Sequence, residues 1–143
     1  MLHTLLLTVH IAAGTAGLLV GPAAIAAARR DERRSAAAGV YLAAVTTLTI
    51  TAAGLVALRP GALWPFLLLA AGTEAAVVAA RRSGKYGSHV RLTCGSYVSL
   101  VTALLVVSWG SVLAWVLPTI VGTVLLERAA SYPPPTTPSK IFS

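Results

Sequence analysis

The apolar residues of this chain come in five long blocks, at 4–28, 37–58, 62–80, 90–109 and 112–126. Each comes near the roughly 20 residues a helix needs to cross a bilayer, the last being the shortest. The polar breaks between them are brief: "RRDERRSA", "RPG", "RRSGKYGSH" and "GS". This pattern predicts five spanning helices, and connections so short predict antiparallel neighbours. The first block has no basic region ahead of it and exceeds a signal-peptide core, so it reads as a retained spanning helix. The closing stretch "SYPPPTTPSKIFS" is proline-rich and polar. It reads as an extended tail, residues 131–143, on a transmembrane domain of residues 1–130.

Composition agrees with this pattern. Of 143 residues, 57% are hydrophobic and only 10% charged, against about 25% charged in soluble domains. Mean hydropathy is +0.82. The net charge of +7 does not indicate nucleic acid, because the basic residues sit in short runs between apolar blocks and form no arm or face. Their placement gives orientation instead. Arg29, Arg30, Arg33, Arg34, Arg81, Arg82, Lys85, Arg91, Arg128 and Lys140 share one side of a five-helix topology, and only Arg59 lies on the other. Basic residues collect on the cytoplasmic side. The expected fold class is therefore an all-α integral membrane bundle of five transmembrane helices, N-terminus outside and C-terminus cytoplasmic. Trp64, Trp109 and Trp115 would mark the outer boundary, and Tyr41, Tyr86 and Tyr132 the inner one. The preference for Arg and Ala over Lys points to a GC-rich bacterial genome, hence a multi-pass protein of the cytoplasmic membrane. One cysteine, Cys94, excludes an internal disulfide.

Candidate chemistry lies inside the apolar blocks. In "HIAAGTAGLLVGP" a turn of about 100° per residue puts His10, Gly14, Gly17 and Gly21 on one narrow helix face. That face either admits a neighbouring backbone or forms a groove for a ligand. The side expected to meet it is the third helix. There Glu74 interrupts "LLLAAGTEAAVVAA", and an ionised carboxylate at that depth costs at least a few kcal/mol. No Lys or Arg shares its level, so the group is expected to be a neutral acid lining an internal cavity, or to share a proton with His10. His10 and Glu74 fall about two turns apart in height, a gap that one water or a small ligand would bridge. Thr46, Thr47, Thr49 and Thr51 of the second helix occupy the same middle layer. Ser96, Tyr97, Ser99 and Thr102 of the fourth do so as well, as do Thr119 and Thr123 of the fifth. Such hydroxyls either serve a site or bond their own backbone. His89 is expected near the cytoplasmic end, among solvent or lipid headgroups.

The stretches "HIAAGTAGLLVGPAAIAAARR", "HVRLTCGSYVSLVTALLVV" and "WVLPTIVGTVLL" resemble a bacterial family of small integral membrane proteins of unknown function. The resemblance lies in a His-led, glycine-rich first helix, a His before a Gly-Ser-Tyr helix and a Leu-Pro last helix. It covers all but the tail and implies a compact multi-helix fold. Members often carry a further His or an Arg-Leu-Gly entry after the first loop; "RRSAAAGVY" has no His, which weakens a metal or haem site carried over from the resemblance, and no cofactor or metal is expected.

Three functions fit these residues. The first is a small membrane-embedded enzyme that isomerises or cyclises a lipophilic molecule of terpenoid or polyketide type. In it Glu74 is the acid, His10 its basic partner and Tyr97 a substrate-orienting group. Gly14, Gly17, Thr47, Thr51, Ser96, Ser99 and Trp64 line the substrate site. The second is a haem- or quinone-binding redox protein ligated by His10 alone, since His10 and His89 lie too far apart to clasp one haem. The third is a non-catalytic membrane subunit or transporter component, for which the small size admits a homo-oligomer.

Overall fold

The computed structural model describes residues 1–32, 34–58, 64–109 and 112–131. Over these it is all helical. The order is α1 (Leu2–Arg29), α2 (Ala36–Leu58), α3 (Trp64–Arg82), α4 (Tyr86–Trp109) and α5 (Val112–Ser131). The five blocks of the sequence thus become five helices, and α1 to α4 are long and apolar enough to cross a membrane. Arg33, Arg59, the proline-rich tail beyond Ser131, and the side chain of Trp115 lie outside the described residues.

Local chemistry sets the ends. Asp31 enters the left-handed region at φ 56°. Its N–H donates to the Ala28 carbonyl at 3.1 Å, and that of Glu32 to the Ala27 carbonyl at 2.9 Å. This bond pair closes a helix C-terminus around a left-handed residue; glycine is usual there and aspartate among the few alternatives. The Ser35 hydroxyl then accepts the Ala38 N–H at 3.2 Å, capping α2. The fourth helix starts at Tyr86, four residues before the apolar block that announced it. The connection there shrinks to 83–85, where the Ser83 hydroxyl and Lys85 backbone bond one another.

Helices α1 to α4 form a closed ring: α1 packs on α2, α2 on α3, α3 on α4, and α4 back on α1. The fifth helix packs only on α4. Cross-helix bonds place successive helices antiparallel. Tyr86 Oη at the start of α4 donates to the Arg29 carbonyl at the end of α1 (2.9 Å), and Arg91 meets Glu127 of α5 at 3.1 Å. That exposed ion pair is worth about 0–1 kcal/mol. Every described Arg and Lys therefore lies at one end of the bundle, with Trp64 and Trp109, 58% and 69% exposed, at the other. The interior is made of small residues around Tyr41, Val45, Val77 and Leu100. Within the spanning windows of α1 to α4 no more than 39% of residues are buried. Leu5, Ile11, Leu19, Ile50, Leu68 and Val107 all point outward. A soluble monomer rarely exposes so much contiguous apolar surface; a bilayer requires it.

Candidate functional site

The face of α1 bearing His10 and the glycines turns into the bundle, but towards α2 and α4. Among the described residues α1 makes no close approach to α3, which corrects the expected pairing. A Cβ added at Gly14 would lie 3.3 Å from Leu48 Cδ1 of α2. At Gly17 it would lie 3.0 Å from Leu100 Cδ2 of α4 and 3.8 Å from Ala44 Cβ. At Gly21 it would overlap the ring of Tyr97. The groove is thus filled by side chains of two neighbours.

Tyr97 has a definite task there. Pro22 lacks the N–H that would bond the Leu18 carbonyl four residues earlier. Tyr97 Oη donates to that carbonyl at 3.3 Å. Gly21 makes room for the ring, Pro22 frees the acceptor, and Tyr97 fills both vacancies. Its hydroxyl proton is directed to the backbone of α1.

His10 Nδ1 lies 2.9 Å from Thr51 Oγ1. The Thr51 hydroxyl in turn points at its own helix, 2.8 Å from the Thr47 carbonyl. With that proton used, His10 Nδ1–H donates to Thr51. This is a cross-helix hydrogen bond pinning α1 to α2. Glu74 sits elsewhere: its Oε1 accepts from Thr46 Oγ1 of α2 at 2.8 Å. Thr46 and Thr51 are separated by roughly 7.5 Å along α2 and by about 140° around it. The structure therefore does not join His10 to Glu74.

The other oxygen of Glu74 is the outstanding feature of the interior. Oε2 is buried and has no hydrogen-bond partner among the described residues. Buried polar atoms are almost always paired, and an orphan calls for an explanation. One turn away, Thr49 Oγ1 donates to the Ala70 carbonyl at 3.3 Å, a second bond between α2 and α3. Most of the remaining hydroxyl layer serves its own helix: Ser96 bonds Thr93, Thr102 bonds Val98 and Thr123 bonds Thr119. Thr47 contributes its carbonyl to Thr51, Ser99 is half-buried, and Trp64 is far out at the bundle end.

Two residues differ from expectation at the arginine-rich end. Tyr41 is only 2% exposed and belongs to the core. Its hydroxyl donates to Ser96 Oγ at 3.1 Å, since the Ser96 proton is directed to the Thr93 carbonyl. His89 is 3% exposed, with Nδ1 2.8 Å from the Ala80 carbonyl, and so lies away from headgroups. The signal for it was spacing: His89, Thr93, Ser96 and Leu100 recur at intervals of four, three and four, one inward stripe of α4. Both residues line a partly open space of about 20 Å³ between the helices, enough for one water and far below the roughly 300 Å³ of a small-molecule pocket. Glu74 does not line it. Among the described residues no three His, Cys, Asp or Glu side chains are grouped to hold a metal ion. Comparison of the chain with protein-family models, curated proteins and solved structures gives no match.

Proposed function

We propose that the chain is a five-span protein of a bacterial cytoplasmic membrane, arginine-rich end inward, whose working group is the carboxyl of Glu74. The observation that carries this reading is the buried, unpartnered Oε2 beside an Oε1 already held by Thr46. A carboxylate with one bare oxygen is costly in an apolar layer; a carboxylic acid is far less so and holds a proton ready for transfer. The acid donates to, or accepts from, a lipophilic molecule that reaches the α2–α3 surface from the bilayer, as an isomerase or cyclase requires. His10 has no part in this version, because it meets Thr51 whereas Glu74 meets Thr46 on another side of α2.

Two measurements test it. A hydrophobic carbodiimide couples to a carboxyl only in its acid form. It should modify wild-type protein at Glu74 in membranes, and Glu74→Gln should abolish the adduct. Lipid extracts of cells carrying each form should then differ by a species of unchanged mass and shifted retention, the mark of an isomerisation. Equal extracts, with Glu74→Gln expressed normally, would refute catalysis. In that event the alternative is a non-catalytic membrane subunit.

A further inference from the structure

His89 is a buried titratable group that the reading of Glu74 leaves unused. A carbonyl oxygen only accepts, so the 2.8 Å contact with Ala80 puts the proton of the neutral ring on Nδ1 and the lone pair on Nε2. Nothing among the described residues bonds that nitrogen. His89 lines the water-sized cavity together with Ala24 of α1, Tyr41 of α2, Val77 and Arg81 of α3, and Thr93 of α4. The groups facing it from the four helices are few. From α1 comes a methyl, and from α2 a phenol whose proton goes to Ser96. Arg81 comes from α3, and from α4 a hydroxyl bonded to the His89 carbonyl. No carboxylate is among them.

One lining residue of this cavity leads along α3 towards Glu74. Val77 lines it and lies one turn from Glu74, about 4.5 Å along α3. Val77 packs with Val45 in the core, and Val45 directly precedes Thr46, the donor to Glu74. Val77 thus belongs both to the lining of the His89 cavity and to the apolar cluster that holds Val45, the neighbour of the Glu74 donor.

We propose that His89 and its cavity form the entry from the arginine-rich end through which Glu74 gains and loses its proton, with Val45 and Val77 as the barrier that water must wet at each transfer. This rests on Glu74 being the proton-holding group. In loading, an imidazolium gives its Nε2 proton to a water. Water passes a proton to Oε2, and the carboxylate becomes an acid. Unloading reverses each transfer; no electron moves and no other reactant is needed.

The test follows the acid carbonyl band of Glu74 by infrared spectroscopy in proteoliposomes after a pH jump, the band being assigned by difference from Glu74→Gln. His89→Gln keeps an amide donor towards Ala80 but has no basic nitrogen, and it should slow the exchange at least tenfold. Val77→Ala removes part of the barrier and should speed it severalfold. An unchanged rate in His89→Gln overturns the proposal. If that variant fails to insert, Val77→Ala decides, and an unchanged rate there overturns it equally. Absence of any band that disappears in Glu74→Gln would instead bring down the reading of Glu74 itself, and this entry with it.

Discussion

Pro22 and Tyr97 show how one residue's defect becomes another's binding site. Proline removes a donor from α1, and the carbonyl it strands at Leu18 is met by a hydroxyl from α4. An unmet carbonyl in a buried layer costs about 1–3 kcal/mol, while measured polar contacts between membrane helices average nearer 0.6. Tyr97→Phe should accordingly lower the unfolding free energy in detergent by about 1 kcal/mol. In a Pro22→Ala background the backbone N–H returns, and the same substitution should cost about half as much or less. Equal costs in the two backgrounds would show that the hydroxyl does not serve Leu18. Glu74 stands in contrast: Thr46 satisfies one oxygen and no described residue satisfies the other.

At the scale of the element, the α1 glycines are not equivalent. Gly21 faces a rigid ring, whereas Gly14 faces the end of a flexible leucine and Gly72 of α3 faces open space. Gly21→Ala should destabilise the bundle by roughly 1–3 kcal/mol, Gly14→Ala by less, and Gly72→Ala hardly at all, as thermal unfolding in nanodiscs would read. A Gly21→Ala protein as stable as Gly72→Ala would contradict the packing described. Long apolar blocks and the spacing of His10, Gly14, Gly17 and Gly21 made the helices and this inward face legible in the sequence. What fills the face was not, because periodicity assigns a residue to a side of a helix and says nothing of which helix lies there. For that reason α3 was expected where α2 and α4 stand, and His10 was paired with Glu74 rather than Thr51. Glu74 was legible from its cost alone. Its orphaned oxygen was not, since satisfaction of one atom depends on Thr46 arriving from another helix at 2.8 Å. His89 was obscured because a basic, glycine-containing connection ran into the first turn of α4 without a clear break.

At the scale of the whole molecule, charge is separated along the bundle: the described basic side chains at one end, two exposed tryptophans at the other. With Cys94 replaced by serine, a cysteine at His3 should react with a membrane-impermeant maleimide applied to intact cells. A cysteine at Ser35 should react only after permeabilisation. The opposite result would invert the orientation. A molecule the size of a terpenoid exceeds the space lined by Tyr41 and His89, and under the proposed reading it would approach Glu74 from the α2–α3 side instead.

The bond between Tyr97 and Leu18 spans 79 positions of the chain, and a ribosome needs time to make them. At roughly 5–20 residues per second, the Leu18 carbonyl waits about 4–16 s for its donor. Over that interval the notch at Gly21 stands empty and an unpaired carbonyl faces lipid or the insertion machinery, at a cost of several kcal/mol in hydrocarbon. The first two helices can pair early through His10 and Thr51, but the ring cannot shut before the fourth is threaded. Nascent chains halted between α3 and α4 should therefore be the ones that the cell's membrane-protein quality control finds and degrades.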